Sequence, residues 1–312
     1  MNDNSAIRNI GGTAGMNRKL HRWWKNDGIG YAFLFPFALL FFVFVLLPII
    51  IAFISSFTSY NMIQPAKGIW FTNYRNLFLK DEVFFLAIRN TLIFALVTGP
   101  IGYLASFIFA WVISKMKFRN AFSLAFYAPS ITSGIAMTIV WGYIFSSDRY
   151  GLINNALINL GIINSEILWN INPDTILPVI MFISIWMSMG TGFLVFLAGI
   201  QNVPEEQFEA ARIDGVKSAF QELWYVTIPA MKPQMLFGAI NSIVVSFAVF
   251  DIAVAFAGMP SPNYAAHTIV AHLYDYAFIR FQMGYASTIA IVLFVMTFVL
   301  GQISRRIFAS ND

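Results

Sequence analysis

Residues 29–57 read IGYAFLFPFALLFFVFVLLPIIIAFISSF, a run without one charged side chain. A helix rises about 1.5 Å per residue and the hydrocarbon layer of a bilayer is about 30 Å thick, so about 20 apolar residues cross it. The run is continuous rather than alternating with a period of two. In lipid only a helix or a closed barrel satisfies every backbone N–H and C=O. The stretch therefore predicts a membrane-spanning helix, kinked at Pro36 and Pro48. A cleavable leader would begin earlier, carry a shorter apolar core and end in a small-residue site, so a retained span is expected.

Five further stretches share this character, at 86–113, 121–145, 175–200, 235–257 and 286–308. Together they predict an all-α polytopic membrane protein: a basic tail at 1–28, a six-span domain at 29–308 and a short tail at 309–312. Composition agrees, with 58% hydrophobic and 11% charged residues. A soluble domain carries about 25% charged residues and could not cover its surface with so few. No internal repeat or low-complexity segment stands out, and the connections at about 58–85, 146–174 and 258–285 have room only for short helices.

Lys and Arg are unequally shared between the two sets of loops. Arg8, Arg18, Lys19, Arg22, Lys25, Lys115, Lys117, Arg119, Arg212, Lys217, Lys232, Arg305 and Arg306 fall on one side. Lys67, Arg75, Lys80, Arg89, Arg149 and Arg280 fall on the other. An excess of positive charge marks the cytoplasmic side, so both termini are expected there. The net charge of +4 thus reads as membrane topology and not as a nucleic-acid surface. Trp23 and Trp24, set among bases in 18–25, suit a headgroup-level anchor.

The chain has no cysteine, which excludes a disulfide framework, a thiolate metal site and a cysteine nucleophile. Its three histidines are His21, His267 and His272. The last two do not share a helical face and have no carboxylate between them, so polar loop histidines are expected and no metal site. No G-x-x-x-x-G-K-[ST] phosphate loop occurs, so the chain is expected not to be an enzyme and to bind no cofactor itself.

The most charged segment is 204–233, PEEQFEAARIDGVKSAFQELWYVTIPAMKP. Pro204 suits a first helical position, with Glu205 and Glu206 favouring the positive end of the helix dipole. Asp214 and Gly215 suit a left-handed helix stop, and Ser218 a cap for a second short helix toward Trp224. Pro229 and Pro233 close the loop. Ala210 and Ala211, flanked by Phe208 and Ile213, offer small residues against which another backbone can approach, with Phe208 free to fill a pocket. Glu209 and Arg212, three apart, can pair. The same pattern also suits an amphipathic helix packed on its own bundle.

The segment resembles the EAA loop of the permeases of binding-protein-dependent ABC importers. Glu209, Ala210, Ala211, Gly215 and Pro229 match that motif, and Ile228 stands where leucine is usual. YAFLFPFALLFFVFVLLPII, FTNYRNLF, NTLIFAL, GLINNAL, FLAGIQNVPEEQFEAARIDG and YASTIAI are similar to the carbohydrate-uptake group, in particular to the first of its two permease subunits. The turn Phe256-Ala257-Gly258-Met259-Pro260 departs from that group's Thr-x-Gly-Gly-Pro. The resemblance implies the type I ABC importer permease fold in a bacterial plasma membrane. It implies a second homologous permease, two ATPase subunits that use ATP and Mg, and an extracytoplasmic solute-binding protein. The loop would then be the coupling helix, with Phe208, Glu209, Ala210, Ala211, Asp214, Gly215 and Pro229 at the ATPase. A carbohydrate, an oligosaccharide above all, would be the solute. A permease for a glycerol phosphate or an amino acid is the alternative within the family. A secondary transporter would need paired intramembrane ionisable groups or inverted repeats, and neither is seen. A membrane scaffold remains the third class.

For the solute path, Ser184, Ser188 and Thr191 lie on one helical face, with Trp186 nearby, and Asn241, Ser242 and Ser246 occupy the next-to-last span. Hydroxyls, an amide and a ring suit an uncharged sugar. They equally suit close packing between membrane helices. Asp251 is the only carboxylate inside an apolar run. One acid does not make a proton relay.

Overall fold

The structure, a computed structural model, describes residues 28–309. The basic stretch at 18–25 and nearly all of both expected tails lie outside them. The chain divides into two compact units, Met1–Ser55 and Ser56–Asp312.

In the first unit, α1 (Gly28–Phe41) runs into a π-helical turn, Phe42–Leu46, and then into α2 (Leu47–Ser55). Pro36 sits within α1. Pro48 has no N–H to give, and its ring crowds the carbonyl four residues back. The backbone widens just ahead of it, with the Leu47 N–H reaching back to the Phe42 carbonyl.

In the second unit, α3 (Thr72–Lys80) precedes α4 (Glu82–Ser114), the longest helix described, with Pro100 inside it. There follow α5 (Arg119–Ile131), α6 (Gly134–Ile144), α7 (Leu152–Asn159) and α8 (Pro173–Gln201). The charged loop holds α9 (Glu205–Ile213), α10 (Ala219–Glu222), a π turn at Leu223–Thr227 and α11 (Ile228–Ala230). Then come α12 (Lys232–Phe247), α13 (Asp251–Ala257), α14 (Ile269–Tyr274) and α15 (Met283–Ala309). Among the described residues there is no β-strand, only an isolated bridge between Thr58 and Gly68.

Five segments are long and apolar enough to cross a membrane among the described residues: Gly30–Ser55, Glu82–Ser114, Pro173–Gln201, Lys232–Ala257 and Met283–Arg306. The stretch at 121–145 differs from the single helix expected of it, for it is divided into α5 and α6 by extended residues Thr132 and Ser133. Serine and threonine hydroxyls compete for helix carbonyls. Here Ser130 bonds the Tyr127 carbonyl, Thr132 that of Ala128 and Thr138 that of Gly134. At 13 and 11 residues, neither half alone reaches across a bilayer.

The stretch 235–257 is interrupted too, at Ala248–Phe250. The carbonyl freed there, that of Val249, accepts the Thr268 hydroxyl at 2.9 Å. A broken helix inside lipid needs such a partner.

α4 and α8 pack along each other, with α12 against α4 and α5 against α8. Three apolar clusters fill the unit. One, around Phe107, Phe193, Phe196, Leu223 and Met231, lies at the end carrying the charged loop. The cluster of Phe94, Ile176, Ile180, Val249 and Phe256 lies toward the opposite, far end. The third, with Leu77, Phe84, Ile269 and Ile289, ties α3, α14 and α15 to the start of α4.

The far end is organised by Asn154, which is fully buried. Its amide nitrogen donates to the carbonyls of Ser146, Asp148 and Ile167, and its oxygen accepts from the Ile167 N–H and the Trp169 indole. The Met259–Pro260 peptide bond, in the turn that departs from the family pattern, is cis.

Candidate functional site

The charged loop folds as a helix, a bend and a second helix. Pro204 is the residue before α9 (φ −58°, ψ 134°) and not its first helical residue, so Glu205 and Glu206 open the helix. The C-terminal end is closed by two hydrogen bonds, Val216 N–H to the Ala211 carbonyl at 2.9 Å and Gly215 N–H to the Arg212 carbonyl at 3.2 Å. This nested pair is the Schellman stop, and it needs a left-handed residue at its turn. Gly215 supplies it with φ +100°. Ser218 accepts from the Gln221 N–H while Gln221 reaches back to the Ser218 N–H, a reciprocal cap for α10.

The two faces of α9 differ. Ala210, Ala211 and Asp214, with Pro229, line a cavity of about 480 Å³ on the side of the Leu223–Thr227 turn. Glu209 and Ile213 point outward, and Ile213 is 87% exposed. Phe208 is half-buried, while Phe220, Trp224 and Tyr225 add exposed rings. The loop thus leaves an isoleucine on α9 and three rings in the segment after the bend exposed, and large exposed apolar groups of this kind mark protein contacts. Arg212 does not pair with Glu209 as the spacing suggested. Its guanidinium bonds Glu222 at 3.2 Å, and Glu222 also takes Lys115 at 2.5 Å. Glu222 lies ten residues from Arg212 and 107 from Lys115, beyond the reach of any i, i+4 rule, so helical spacing gave no sign of it.

A second cavity, about 450 Å³, opens between α4, α8 and α12. Ser184, Ser188, Asn241, Ser242, Ser246 and Asp251 all line it. Trp186 does not; its indole packs edge-on against Trp141 at 5.2 Å. The side chain of Thr191 is outside those described. Thr98, Tyr103, Ser106 and Ser130 complete the polar lining, and the sequence reading missed them because α4 and α5 carry few polar residues to form a stripe.

Most of these hydroxyls already serve helix packing. Ser242 donates to the Gly99 carbonyl across the α4–α12 contact at 2.9 Å, and Ser246 and Ser188 donate to carbonyls of their own helices. A Cβ at Gly102 would fall 2.5 Å from the Ser188 hydroxyl, so α4 and α8 approach as only small residues permit. Two groups are different. Among the described residues the buried Ser184 hydroxyl has no hydrogen-bond partner. The exposed amide of Asn241 makes no hydrogen bond among the described residues. Asp251 opens α13 directly after the helix break, so its carboxylate sits at a positive helix end and is not stranded in mid-span.

His267 and His272 are buried, unlike the loop histidines expected. Their rings meet at 3.1 Å, and His272 reaches the Asp81 carboxylate at 3.0 Å, with Tyr276 and Tyr285 donating to the same oxygen. Burial would push the Asp81 carboxyl up, but the hydrogen bonds of His272 and Tyr285 outweigh it and bring it down to about 2. Burial, and then His272, push His267 down to about 4. Among the described residues no group of three or more metal-ligating side chains forms.

The relatives of this sequence agree with one another. Residues 99–310 match the family described as binding-protein-dependent transport system inner membrane component. The chain is 34% identical to the arabinooligosaccharides transport system permease protein AraP of Bacillus subtilis (strain 168), over 92% of this chain and 91% of that one. It is 32% identical to the lactose transport system permease protein LacF of Rhizobium radiobacter, over 88% and 92%. In fold it is similar to a chain of a bacterial ABC transporter involved in the import of the acidic polysaccharide alginate, with a TM-score of 0.79 at 22% identity over 94% and 99%. The chain belongs to the family of binding-protein-dependent transport system inner membrane components.

Proposed function

We propose that this chain is one of two permease subunits of an ATP-driven importer for an uncharged oligosaccharide. In this reading it crosses the membrane six times, with the pair α5 and α6 as one broken span, and has both termini in the cytoplasm. The 480 Å³ cavity and the outward face of α9, around Phe208, Glu209 and Gly215, receive a separate ATPase subunit that hydrolyses ATP with Mg. An extracytoplasmic binding protein delivers the solute at the far end. Closure of the ATPases shifts α9, and the spans that line the 450 Å³ cavity re-orient so that the solute passes between this permease and a second, homologous one.

The observation that carries the solute class is the lining of that cavity: hydroxyls and an amide beside Phe94, Phe196 and Phe237, with no cation among them. Sugar hydroxyls need hydrogen bonds and apolar ring faces, whereas an anionic solute would need Lys or Arg. The names of the relatives support the same class, since AraP and LacF are transport permeases for arabinooligosaccharides and lactose. Mild purification of the native assembly tests the whole reading. A second permease, an ATPase and a binding protein loaded with a neutral sugar are expected to accompany the chain; a binding protein loaded with an amino acid or a phosphate ester would overturn the solute class.

A further inference from the structure

Glu222 is a carboxylate whose side chain is only 11% exposed, and it ends the short helix α10 that follows the glycine bend. Each of its oxygens has a cation of its own. Oε2 accepts from Lys115 Nζ at 2.5 Å, and Oε1 accepts from Arg212 Nε at 3.2 Å. The hydrogen bond from Lys115 holds the Glu222 carboxyl below its usual range, so it is charged throughout the neutral region. The two cations belong to different elements. Arg212 is in the last turn of α9, and Lys115 caps the end of α4.

Three routes connect α9 with the cavity between the spans. Two are covalent: back through residues 202–204 into α8, and forward through α11 and α12, where Met231 is non-helical between the two helices. The third crosses Glu222 into α4, a helix without a break from Glu82 to Ser114. α4 presents Thr98, Gly102, Tyr103 and Ser106 to the cavity. Leu223, next to Glu222, is buried in the same apolar cluster as Phe107, Ala110 and Ile113 of that helix. An exposed ion pair yields readily under load. Lys115 and Arg212 are 40% and 62% exposed, but the carboxylate between them is mostly out of water, so losing one cation costs it more than it would cost an exposed pair.

We propose that Lys115, Glu222 and Arg212 form a strut that makes α9 and α4 move as one body, with Glu222 as the positioning residue that passes the motion of the coupling helix to the wall of the solute cavity. The strut rests on the coupling role given to the loop above.

Absence of cysteine makes the test direct, since two introduced cysteines are the only labels on this chain once the partner subunits are used in cysteine-free form. Glu206, on α9, and Lys117, in the turn that leaves α4, are both exposed and carry the labels. The parent E206C/K117C chain is assembled with its second permease and ATPase in lipid vesicles and spin-labelled. Distances are then read without nucleotide and after trapping with Mg·ATP and orthovanadate. A strut predicts one narrow 206–117 distance, the same in both states. Lys115→Met, Arg212→Met and Glu222→Gln should each broaden it and make it shift on trapping. The Lys115→Met/Arg212→Met double variant should be no worse than either single, because links in series fail together, and Lys115→Arg should restore the narrow distance. Lys115 is a partly exposed end-of-helix residue, so its methionine variant keeps the aliphatic stem and the fold. A parent distance that shifts on trapping, or single losses that add in the double variant, would overturn the strut while ATP hydrolysis by the parent leaves the coupling role standing. An assembled parent that hydrolyses no ATP would overturn both.

Discussion

The bend after α9 makes a quantitative prediction, because its cost can be assigned to a single torsion angle. Gly215 has φ +100°, and a Cβ built there meets nothing within 4 Å. Replacement by alanine therefore adds no clash, and the whole penalty is conformational. A non-glycine residue held in that region costs about 1–2 kcal/mol. The smaller freedom of alanine in the unfolded loop returns about 0.4–1 kcal/mol. The net cost is about 1 kcal/mol, which is about fivefold in the equilibrium between the closed bend and an opened one. The amide that reports it is that of Val216, whose hydrogen bond to the Ala211 carbonyl exists only while the bend is closed. Gly215→Ala should speed hydrogen exchange at Val216 about fivefold. Uptake per ATP hydrolysed should fall in the reconstituted complex. Gly215→Asn, the next residue to tolerate positive φ, should recover part of both. Gly215→Val should be clearly worse than alanine, since a β-branched side chain meets its own backbone at positive φ even with no neighbour within 4 Å. An unchanged Val216 exchange rate in Gly215→Ala would refute the torsional argument, and an unchanged coupling ratio would refute the role of the bend.

Three further outcomes follow from the same structure. Asn154→Ala removes five hydrogen bonds at a fully buried position and strands the Ile167 N–H and the Trp169 indole, so about 3 kcal/mol should be lost, measured as a lowered midpoint of thermal unfolding in detergent. Ser184→Ala deletes a buried hydroxyl that has no partner, so stability should hold or rise by about 1 kcal/mol while uptake of the solute weakens; a loss of stability would show that the hydroxyl serves packing. Acid should loosen the far end in two steps. The unfolded chain protonates His267 from its ordinary 6.5 downward, and the folded chain only near 4, so stability falls by up to about 3 kcal/mol as pH drops through that window. Asp81, brought from 3.8 to about 2, adds a further loss below pH 3.8. His267 faces His272, Asp81, Asp275, Arg280 and, through Asp81, Tyr276 and Tyr285, so the control is His267→Gln, which should flatten the upper window in unfolding titrations and leave the lower one.

The helical class was legible because hydropathy is additive along a chain: residues 29–57 need no partner to declare themselves apolar. What hydropathy could not show is where a run breaks. Residues 121–145 carry no charge, yet the helix stops at Thr132–Ser133, where hydroxyls compete for carbonyls that a longer helix would use. Asp251 illustrates the same blindness from the other side. As one acid in an apolar run it asked for a functional reason. With the break at Ala248–Phe250 in place it becomes the first residue of α13, and the helix end accounts for its charge. Its place on the cavity wall is then a separate fact, to be weighed by itself.

The loop was legible for another reason: its devices are local. A proline, two acids, a glycine four residues past the alanines and a serine before Gln221 all act within one or two turns, and each is found at its post, with Pro204 shifted by one position. The contacts that give the loop its mechanical meaning are not local. Glu222 meets Lys115 across 107 residues, and His272 meets Asp81 across 191. Charged groups this far apart carry no periodic signature, and only the packing of α4 brings each pair together. That helix begins at the Asp81 cap and ends at the Lys115 cap, so at each of its ends a mostly buried carboxylate is held by partners distant in the chain. A helix clamped by charge at both termini and lining the cavity between them is suited to move as a rigid rod. The acid titration and the spin-label distance therefore load the same element from opposite ends. If α4 is that rod, Lys115→Met should leave the loss between pH 6.5 and 4 unchanged while it frees α9, since the far-end clamp does not pass through the strut. A Lys115→Met variant that also shifted the acid transition would show that α4 bends between its clamps, and the rigid-rod account would fail.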